Sequence, residues 1–538
     1  MNKNGRILVV DDAEQWREEL VETLERGGFS VDSASTFSEA QERLNETFYH
    51  ILVLDIRLNE KEQDNIDGIE LLRILDTQGL SEATKVIMLS AFGTPDRMRL
   101  AFREHKVVDF LSKDKFNNRM FLENVRRVFI EEVKVNIDLD IHWQQVSGPD
   151  QVVLNLLLEK GRVKRDTPLQ LRIAEELQDL LCRLFYQSES ILVQPLTPGQ
   201  SGTGVLLVQP FYATGGGRAV VVKFGNFRKI EEEYHNFKEY VEPFVGGGRN
   251  TTIISVRRTP RLGGILYSLL GAANDQLEDF GNFYNHADTL EINDALNRLF
   301  LDTCSAWYAS PGRLQPQNLT HDYQKLLGFT QEKLEQAFTE NLKSVQGKHD
   351  LHFKSLSSER TFINPLLVLA GPSLVRPSYT CITHGDFNQH NILVDSAKNM
   401  WLIDFQGTGR GHILRDVAKL DSEVRFQMLS AEDATLEERF AMEEALCSID
   451  RFSMVEQLTQ RFATTNHAVA KAYATTTHLR LLARGLVAQN RSDDISEYYI
   501  ALLYYALNTL RYYSLSSAQR EHAILSASIL VERLRLRV

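Results

Sequence analysis

Two groups of side chains in this 538-residue sequence have the types and spacing to handle a phosphoryl group. In the first, polar residues stand where short apolar runs end. Arg6 to Val10 (RILVV) is followed by Asp11-Asp12, Ile51 to Leu54 (ILVL) by Asp55, and Lys85 to Leu89 (KVIML) by Ser90. Val107 to Leu111 (VVDFL) contains Phe110 and leads to Lys113. If these runs are parallel strands, their carboxyl ends converge at the edge where open α/β sheets bind ligands. Three carboxylates there repel one another unless a cation lies among them, and hard oxygen ligands suit Mg2+. A carboxylate so held can attack a phosphoryl group, with Lys113 and Ser90 receiving the new oxygens. One Asp after a strand is usually a cap. Five suitable residues at five suitable positions make a site.

The second group lies in Thr383-His-Gly-Asp-Phe-Asn-Gln-His-Asn-Ile-Leu-Val394 and Trp401-Leu-Ile-Asp-Phe405. Phosphoryl transfer from a nucleotide uses a catalytic-loop Asp and, five residues later, a metal-binding Asn. Asp386 and Asn391 keep that spacing, and Asp404 follows thirteen residues on. A hairpin through Ile392–Val394 and Met400–Ile403 predicts Asn391 and Asp404 side by side, holding Mg2+ on ATP while Asp386 orients the acceptor hydroxyl. Val220-Val-Val-Lys223 has the form of a strand bearing a phosphate-binding lysine. Glu233, or alternatively Glu232, is placed on the next helix to pair with it. The Gly199-Gln-Ser-Gly-Thr-Gly204 turn precedes that strand, with Gly199, Gly202 and Gly204 available to cover phosphates. His384 and His390 read as packing or capping residues, and Asp416 as a helix-start anchor.

Elements that could position these groups follow from the patterning. Up to about Phe129, β-branched runs alternate with amphipathic stretches such as Glu14 to Gly27, which predicts a parallel sheet covered by helices. Residues 134–165 carry no clear period and read as a connector. Leu169 to Tyr186 is an amphipathic helix, and strand-like runs with glycine turns follow. A helix is expected over Ile230 to Val241, then strands at Thr251 to Arg257 and Gly264 to Leu269. Helical patterns dominate beyond Asn274, apart from a β-rich island at Tyr379 to Phe405. The aromatics of Tyr498 to Tyr513 fall at helical spacing and predict core packing. Arg415 and Arg425 fit either phosphate contacts or solvated helix faces.

Composition narrows the classes. The chain is too long for one core. A net charge of −12 excludes a general nucleic-acid binder, which needs a basic surface. Four scattered cysteines form no metal-ligand spacing or disulfide framework and suggest a reducing compartment. The longest apolar stretches fall short of a membrane span, and the first residues do not resemble a secretory signal. A cytoplasmic location is expected.

The first group resembles the response-regulator receiver family over residues 5–129. That resemblance implies a flavodoxin-like α/β domain (1–133), with Asp55 as phosphoacceptor and Asp11 and Asp12 completing the Mg2+ site. It makes Ser90 and Phe110 the switch pair, Lys113 the phosphate sensor, and a sensor histidine kinase the donor. Arg57 to Ile66 departs from the family as a charged insertion before Asp67-Gly68. The second group resembles the aminoglycoside phosphotransferase and choline kinase branch of the protein-kinase-like fold, over roughly 191–538. This implies an α+β two-lobed domain at 166–538, with a small lobe at 166–272, a helical large lobe at 273–538, and Leu266 to Leu270 as a hinge near adenine. The expected function is a receiver controlling an ATP-dependent phosphotransferase with an unidentified acceptor. The alternative is a nucleotide-binding scaffold without turnover. Coupling is expected where the Ser90/Phe110 face meets the connector and the Leu169 to Tyr186 helix.

Overall fold

The computed structural model describes residues 5–59, 65–91, 103, 105–144, 148–158, 168–196, 203–244, 251–269, 277–309, 311–342, 344–357, 360–488, 492–512 and 514–534. By its packing the chain divides into two units: Met1–Glu232 with Ile253–Ser268, and Glu233–Thr252 with Leu269–Val538. The receiver and most of the sheet expected for a small lobe therefore share one unit.

Within that first unit, β1 (Arg6–Val10), β2 (Ser30–Ala34), β3 (Ile51–Leu54), β4 (Lys85–Ser90) and β5 (Asp109–Ser112) form a parallel sheet in the order β2-β1-β3-β4-β5. The near-continuous apolar runs of β1, β3 and β4 are buried on both faces, as a parallel sheet demands. Alternate residues supply two cores. Leu8, Val10, Leu52, Leu54, Val86 and Met88 pack with Ala40 and Ile69 of the helices Phe37–Glu46 and Asp67–Thr77. Ile7, Val9, Ile51, Val53, Ile87 and Leu89 pack with Leu20, Leu24, Phe121 and Val125 of Glu14–Arg26 and Asn118–Val128. A shift of one residue would exchange the two sets and leave every side chain facing the wrong helices. This is the doubly wound arrangement the sequence predicts.

A second sheet follows in the same numbering: β6 (Asp140–Trp143), β7 (Ser190–Pro195), β8 (Gly204–Tyr212), β9 (Gly215–Gly216), β10 (Val220–Asn226), β11 (Thr251–Arg258) and β12 (Leu262–Leu269). Its order is β11-β12-β10-β8-β7-β6, with β9 on β8. The connector expected over 134–165 is thus not irregular, since β6 joins the sheet parallel to β7 and Pro149–Leu158 is helical. Only four residues of alternating exposure form β6, too few to register as a period, yet Ile141 and Trp143 reach the core beneath.

The predicted amphipathic helix spans Pro168–Leu184 and buries Leu177, Leu180, Leu181 and Leu184 against β7, β8 and β10. Its other contacts hold the receiver. His50 and Asp179 are bonded at 2.7 Å (Nε2 to Oδ1), and because Arg6 N donates to His50 Nδ1, the Nε2–H is the donor. Arg183 Nε donates to Asp179 Oδ2 (2.7 Å) and its Nη1 to Ala83 O (3.0 Å). Arg6 pairs with Glu175 at 3.0 Å. Arg6, His50 and Ala83 all lie at the amino ends of β1, β3 and β4. The helix therefore meets the receiver at the opposite end of the sheet from Ser90, and not at the Ser90/Phe110 face as expected from sequence. Amphipathicity marked the helix as packed without saying on what.

The second unit is mainly helical, with Leu436–Leu446, His467–Leu486, Ser496–Thr509 and Ser517–Arg533 at its carboxyl end. Ser496–Thr509 has both its tyrosines and its polar residues buried, so the aromatic stretch is core, as expected. Arg425 is on no solvated face. It lies fully buried between Asp421 and Glu443. Among the described residues no helix is long and apolar enough to cross a membrane.

Burial alone would raise the Asp179 carboxyl, but Arg183 and His50 outweigh it and hold its pKa well below the usual range. Its stabilisation is therefore present at neutral pH and lost as the pH falls below about 4. Removing one partner of such a buried pair leaves uncompensated charge, so Asp179→Ala should destabilise the first unit by about 3 kcal/mol. Urea unfolding at pH 7 measures this, and a loss of under about 0.5 kcal/mol, the range of an ordinary surface substitution, would contradict it.

Candidate functional site

At the carboxyl edge of the receiver sheet, Asp11 and Asp12 follow β1 and Asp55 follows β3, on either side of the point where the strand order reverses. Ligand oxygens of the three carboxylates lie within 4.8 Å of one another, the one such cluster of three His, Cys, Asp or Glu among the described residues. Lys113 reaches in from the turn after β5 and pairs with Asp11 (2.6 Å) and Asp55 (2.5 Å), its ammonium over the Trp16 ring at 5.3 Å. Burial raises the Asp11 pKa to about 6 against the lowering pull of Lys113, and Asp55 adds to the rise. Burial would lower the Lys113 pKa, but Asp55 and Asp11 raise it on balance.

Local sequence explains the placement. Asp11 Oδ1 accepts from Ala13 N and Arg17 donates to the carbonyls of Asp11 and Asp12, so the helix start and the acidic pair fix each other. Asn65 closes the insertion by accepting from Leu58 N and Asp67 N. Gly68 approaches Asp55 so closely that a Cβ would stand 2.1 Å from the Asp55 carbonyl oxygen. Residues 60–64 of the insertion lie outside the described residues. Ser90 is buried at the end of β4, and Phe110 is half-buried on β5 opposite Met88, packed on the core of Leu8 and Val10. Asp11, Asp12, Asp55 and Lys113 thus meet at the carboxyl edge, while Ser90 ends β4 and Phe110 lies on β5. The carboxylates can hold a hard divalent cation with room for water and substrate oxygens, and Asp55 can accept a phosphoryl group.

In the second unit the segment 384–391 joins strand Thr380–Thr383 to the hairpin Ile392–Val394/Met400–Leu402. Asp416 holds its first turn. This buried carboxylate accepts from His384 N (2.8 Å), Gly385 N (2.8 Å) and Tyr308 OH (2.9 Å). Gly385 has φ +88°, and a Cβ there would meet Gly407 O at 2.2 Å, so only glycine fits. Asn391 donates to the Asp386 carbonyl (2.9 Å) and Asn388 to its carboxylate (3.0 Å). The Asp386 side chain stays 42% exposed, open to a substrate. Ile403 N bonds to Asn391 O, which brings Asn391 and Asp404 to one end of the hairpin as predicted. Asp404 has φ +70°, a left-handed conformation that costs a non-glycine residue energy and clusters at functional sites.

Glu233 accepts from Phe405 N (3.1 Å), and Asn236 donates to Gln406 O (2.7 Å), so this helix holds the turn after Asp404. Lys223 is fully buried in β10, in register with Val205 and Ile265. Gly204 is not part of a loop. It lies in β8 opposite Phe224, whose ring would stand 2.3 Å from a Cβ, so close packing explains this glycine. Gly199 and Gly202 lie outside the described residues. His384 donates from Nε2 to Ile403 O and His390 bonds to Asp279, in the structural roles expected. Arg415 neither faces solvent nor waits for phosphate, since it donates to the carbonyls of Thr383 and Gly407.

Sequence reading missed two residues. Asp416 was read as anchoring only its own helix. Lys419, buried one turn further on, pairs with Glu423 (2.5 Å) and stands 3.7 Å from Asp386. A signal existed in the charges of Arg415-Asp-Val-Ala-Lys-Leu-Asp-Ser-Glu423 on a helix otherwise fit for burial.

Residues 7–126 match the Response regulator receiver domain family, and with the geometry above this segment is a response regulator receiver domain. The remainder matches the Ternary complex associated domain 9 family over 189–351 and 357–511. That match covers more than half of the chain, and the chain belongs to this family. The receiver segment is 31% identical over 130 residues to protein-glutamate methylesterase/protein-glutamine glutaminase 1 of Anaeromyxobacter dehalogenans, covering 24% of this chain and 35% of that protein. It is 32% identical over 127 residues to transcriptional regulatory protein GltR of Pseudomonas aeruginosa, covering 23% and 50%. The chain thus spans about a third and about half of these curated relatives. Similar solved structures include a CheY-like receiver from Methanospirillum hungatei JF-1, with 24% identity over 24% of this chain and 98% of that one and a TM-score of 0.22. The receiver domain of Francisella response regulator 1452 is 26% identical, with the same coverage and a TM-score of 0.21.

A cation entering the receiver site must displace the Asp11 proton below about pH 6, because a ligating carboxylate is deprotonated. Mg2+ affinity, followed by Trp16 fluorescence, is expected to be flat above pH 7 and to fall about tenfold per pH unit below the Asp11 pKa. An affinity unchanged between pH 7 and 5 would show that Asp11 is not a ligand.

Proposed function

We propose that this protein is a two-component response regulator whose receiver, phosphorylated on Asp55 by a sensor histidine kinase, controls an ATP-dependent phosphotransferase in the remainder of the chain. In the receiver, Asp11, Asp12 and Asp55 would hold Mg2+, and the Asp55 carboxylate would attack the phosphorus of the kinase's phosphorylated histidine, whose P–N bond breaks to release the imidazole. Lys113 and Ser90 take the new oxygens, and Phe110 responds to them.

One observation carries the phosphotransferase reading. Asp386 is open to solvent on a turn held by Asp416, its backbone is bonded to Asn391, and the hairpin returns Asp404, left-handed, beside Asn391. Rigid positioning of an acceptor-orienting carboxylate and two metal ligands is what phosphoryl transfer needs from a protein. In this reading Asn391 and Asp404 would hold Mg2+, which would neutralise charge on the ATP phosphates, and Glu233 steadies the Asp404-Phe405 turn. The phosphoryl acceptor is a small molecule or a protein.

The route of control follows from the receiver sheet. The strands that end in Asp11, Asp55 and Ser90 begin beside Arg6, His50 and Ala83, which grip the helix Pro168–Leu184. A strand of four to six residues is roughly 13–20 Å long, so phosphorylation at one end reaches the helix through the stiff sheet. The competing reading is a phosphorylation-gated, nucleotide-binding scaffold without turnover. It draws support from Gly204, which serves packing and not a phosphate-covering loop.

Incubation of the full chain with ATP, Mg2+ and cell extract, read by mass spectrometry, should reveal a new phosphorylated species. Asp386→Asn should reduce its formation at least about a hundredfold. ATP binding without any such species supports the scaffold. Acetyl-phosphate labelling of Asp55 should alter nucleotide turnover or affinity, and Asp55→Asn should abolish the response. Control by the receiver is refuted if labelling changes neither.

A further inference from the structure

We propose that a cavity of about 360 Å3 in the second unit, between the helices His467–Leu486 and Thr289–Asn297 and the segment 459–464, binds a small, uncharged, mainly apolar ligand bearing one hydrogen-bond donor. No residue placed in the phosphoryl-transfer machinery lines it.

The cavity is built by one face of the longer helix. Ala470, Tyr473, Ala474, Thr477, His478 and Leu481 recur at three- and four-residue spacing and form its wall. The two alanines leave the space that larger residues would fill. Phe462 packs against this wall, its ring 4.9 Å from that of Tyr473, and adds to the lining. Its volume falls in the range of small-molecule sites.

Charge and hydrogen bonding define the ligand. None of the lining residues is Asp, Glu, Lys or Arg, and burial lowers the His478 pKa, so the ring is neutral. Its Nε2 is engaged by Asn297 Oδ1 (2.9 Å), and the Tyr473 hydroxyl donates to Leu458 O (2.6 Å). Those two polar groups are satisfied. Two others are not: the Oγ1 of Thr477, a residue only 3% exposed, and Asn293 Oδ1 are buried without a protein partner. A helical threonine ordinarily satisfies its hydroxyl on the preceding turn, which Thr477 does not. The Asn293 amide oxygen accepts and the Thr477 hydroxyl can accept or donate; leaving both buried without a partner is costly, and here they stand beside aromatic and aliphatic surface that water solvates poorly. An apolar molecule with an N–H or O–H answers both needs.

Indole is a suitable probe, and 1-benzothiophene has nearly its shape without the N–H. Calorimetric titration of the full chain should give saturable 1:1 binding of indole, with 1-benzothiophene roughly fivefold weaker. Asn293→Leu should remove that preference, and Ala474→Trp should abolish binding of both while the melting temperature is retained. If Ala474→Trp fails to fold, the loss of preference in Asn293→Leu decides the matter. No saturable binding up to the solubility of indole, or equal binding by parent and both variants, would mean a solvent-filled void and overturn the proposal.

Discussion

Charge taken out of water must be answered by opposite charge or by hydrogen bonds, and that requirement shapes both units of this protein. At the receiver edge, Asp11 and Asp55 are buried within reach of Lys113. Burial raises the Asp11 pKa against the pull of Lys113, with Asp55 adding to the rise, and two adjacent carboxylates sharing one ammonium leave net negative charge at this edge. The parallel sheet brings the acidic residues together at its carboxyl edge.

The same requirement governs the grip between receiver and output sequence. Asp179 is buried between His50 and Arg183, and Arg183 continues to a carbonyl at the start of β4. Such a contact has directional partners that cannot be exchanged one at a time. It ties the helix to the sheet at a defined register, where an apolar contact would tolerate sliding. The sheet thus carries its acidic cluster at its carboxyl ends and holds the helix Pro168–Leu184 at its amino ends.

In the second unit the turn bearing Asp386 is held by ionic and hydrogen-bonded contacts as well as by the buried Phe387 ring. Asp416 takes two backbone amides and a phenol, Arg415 takes carbonyls on either side, and Lys419 with Glu423 stands next to Asp386. Beneath them Asp421, Arg425, Glu443, Arg480 and His522 form a buried ionic cluster. Carboxylates and guanidinium groups impose angles as well as distances, so helices pinned this way hold a loop more exactly than side chains of similar volume could.

How much of this was legible in the sequence depends on the range of the interaction. The parallel order of the receiver strands and the meeting of Asp11, Asp12, Asp55, Ser90 and Lys113 were readable because β-branched runs and terminal acids repeat with the fold. The Asp386–Asn391–Asp404 arrangement was readable because one hairpin sets it. Strand β6 was too short to show a period, and Gly204 resembled a loop glycine because its need, the Phe224 ring, comes from a neighbouring strand. Arg425 fitted either a phosphate contact or a solvated face because Glu443, eighteen residues on, is brought beside it only by packing. By itself the amino-acid order determined which residues end strands and which share a hairpin, for these depend on neighbours along the chain. Only the tertiary structure decided which end of the receiver meets the helix Pro168–Leu184, what Asp416 holds, and where a cavity remains between helices. Those outcomes depend on side chains far apart in sequence, whose pairing energy exists only once the backbone has brought them together.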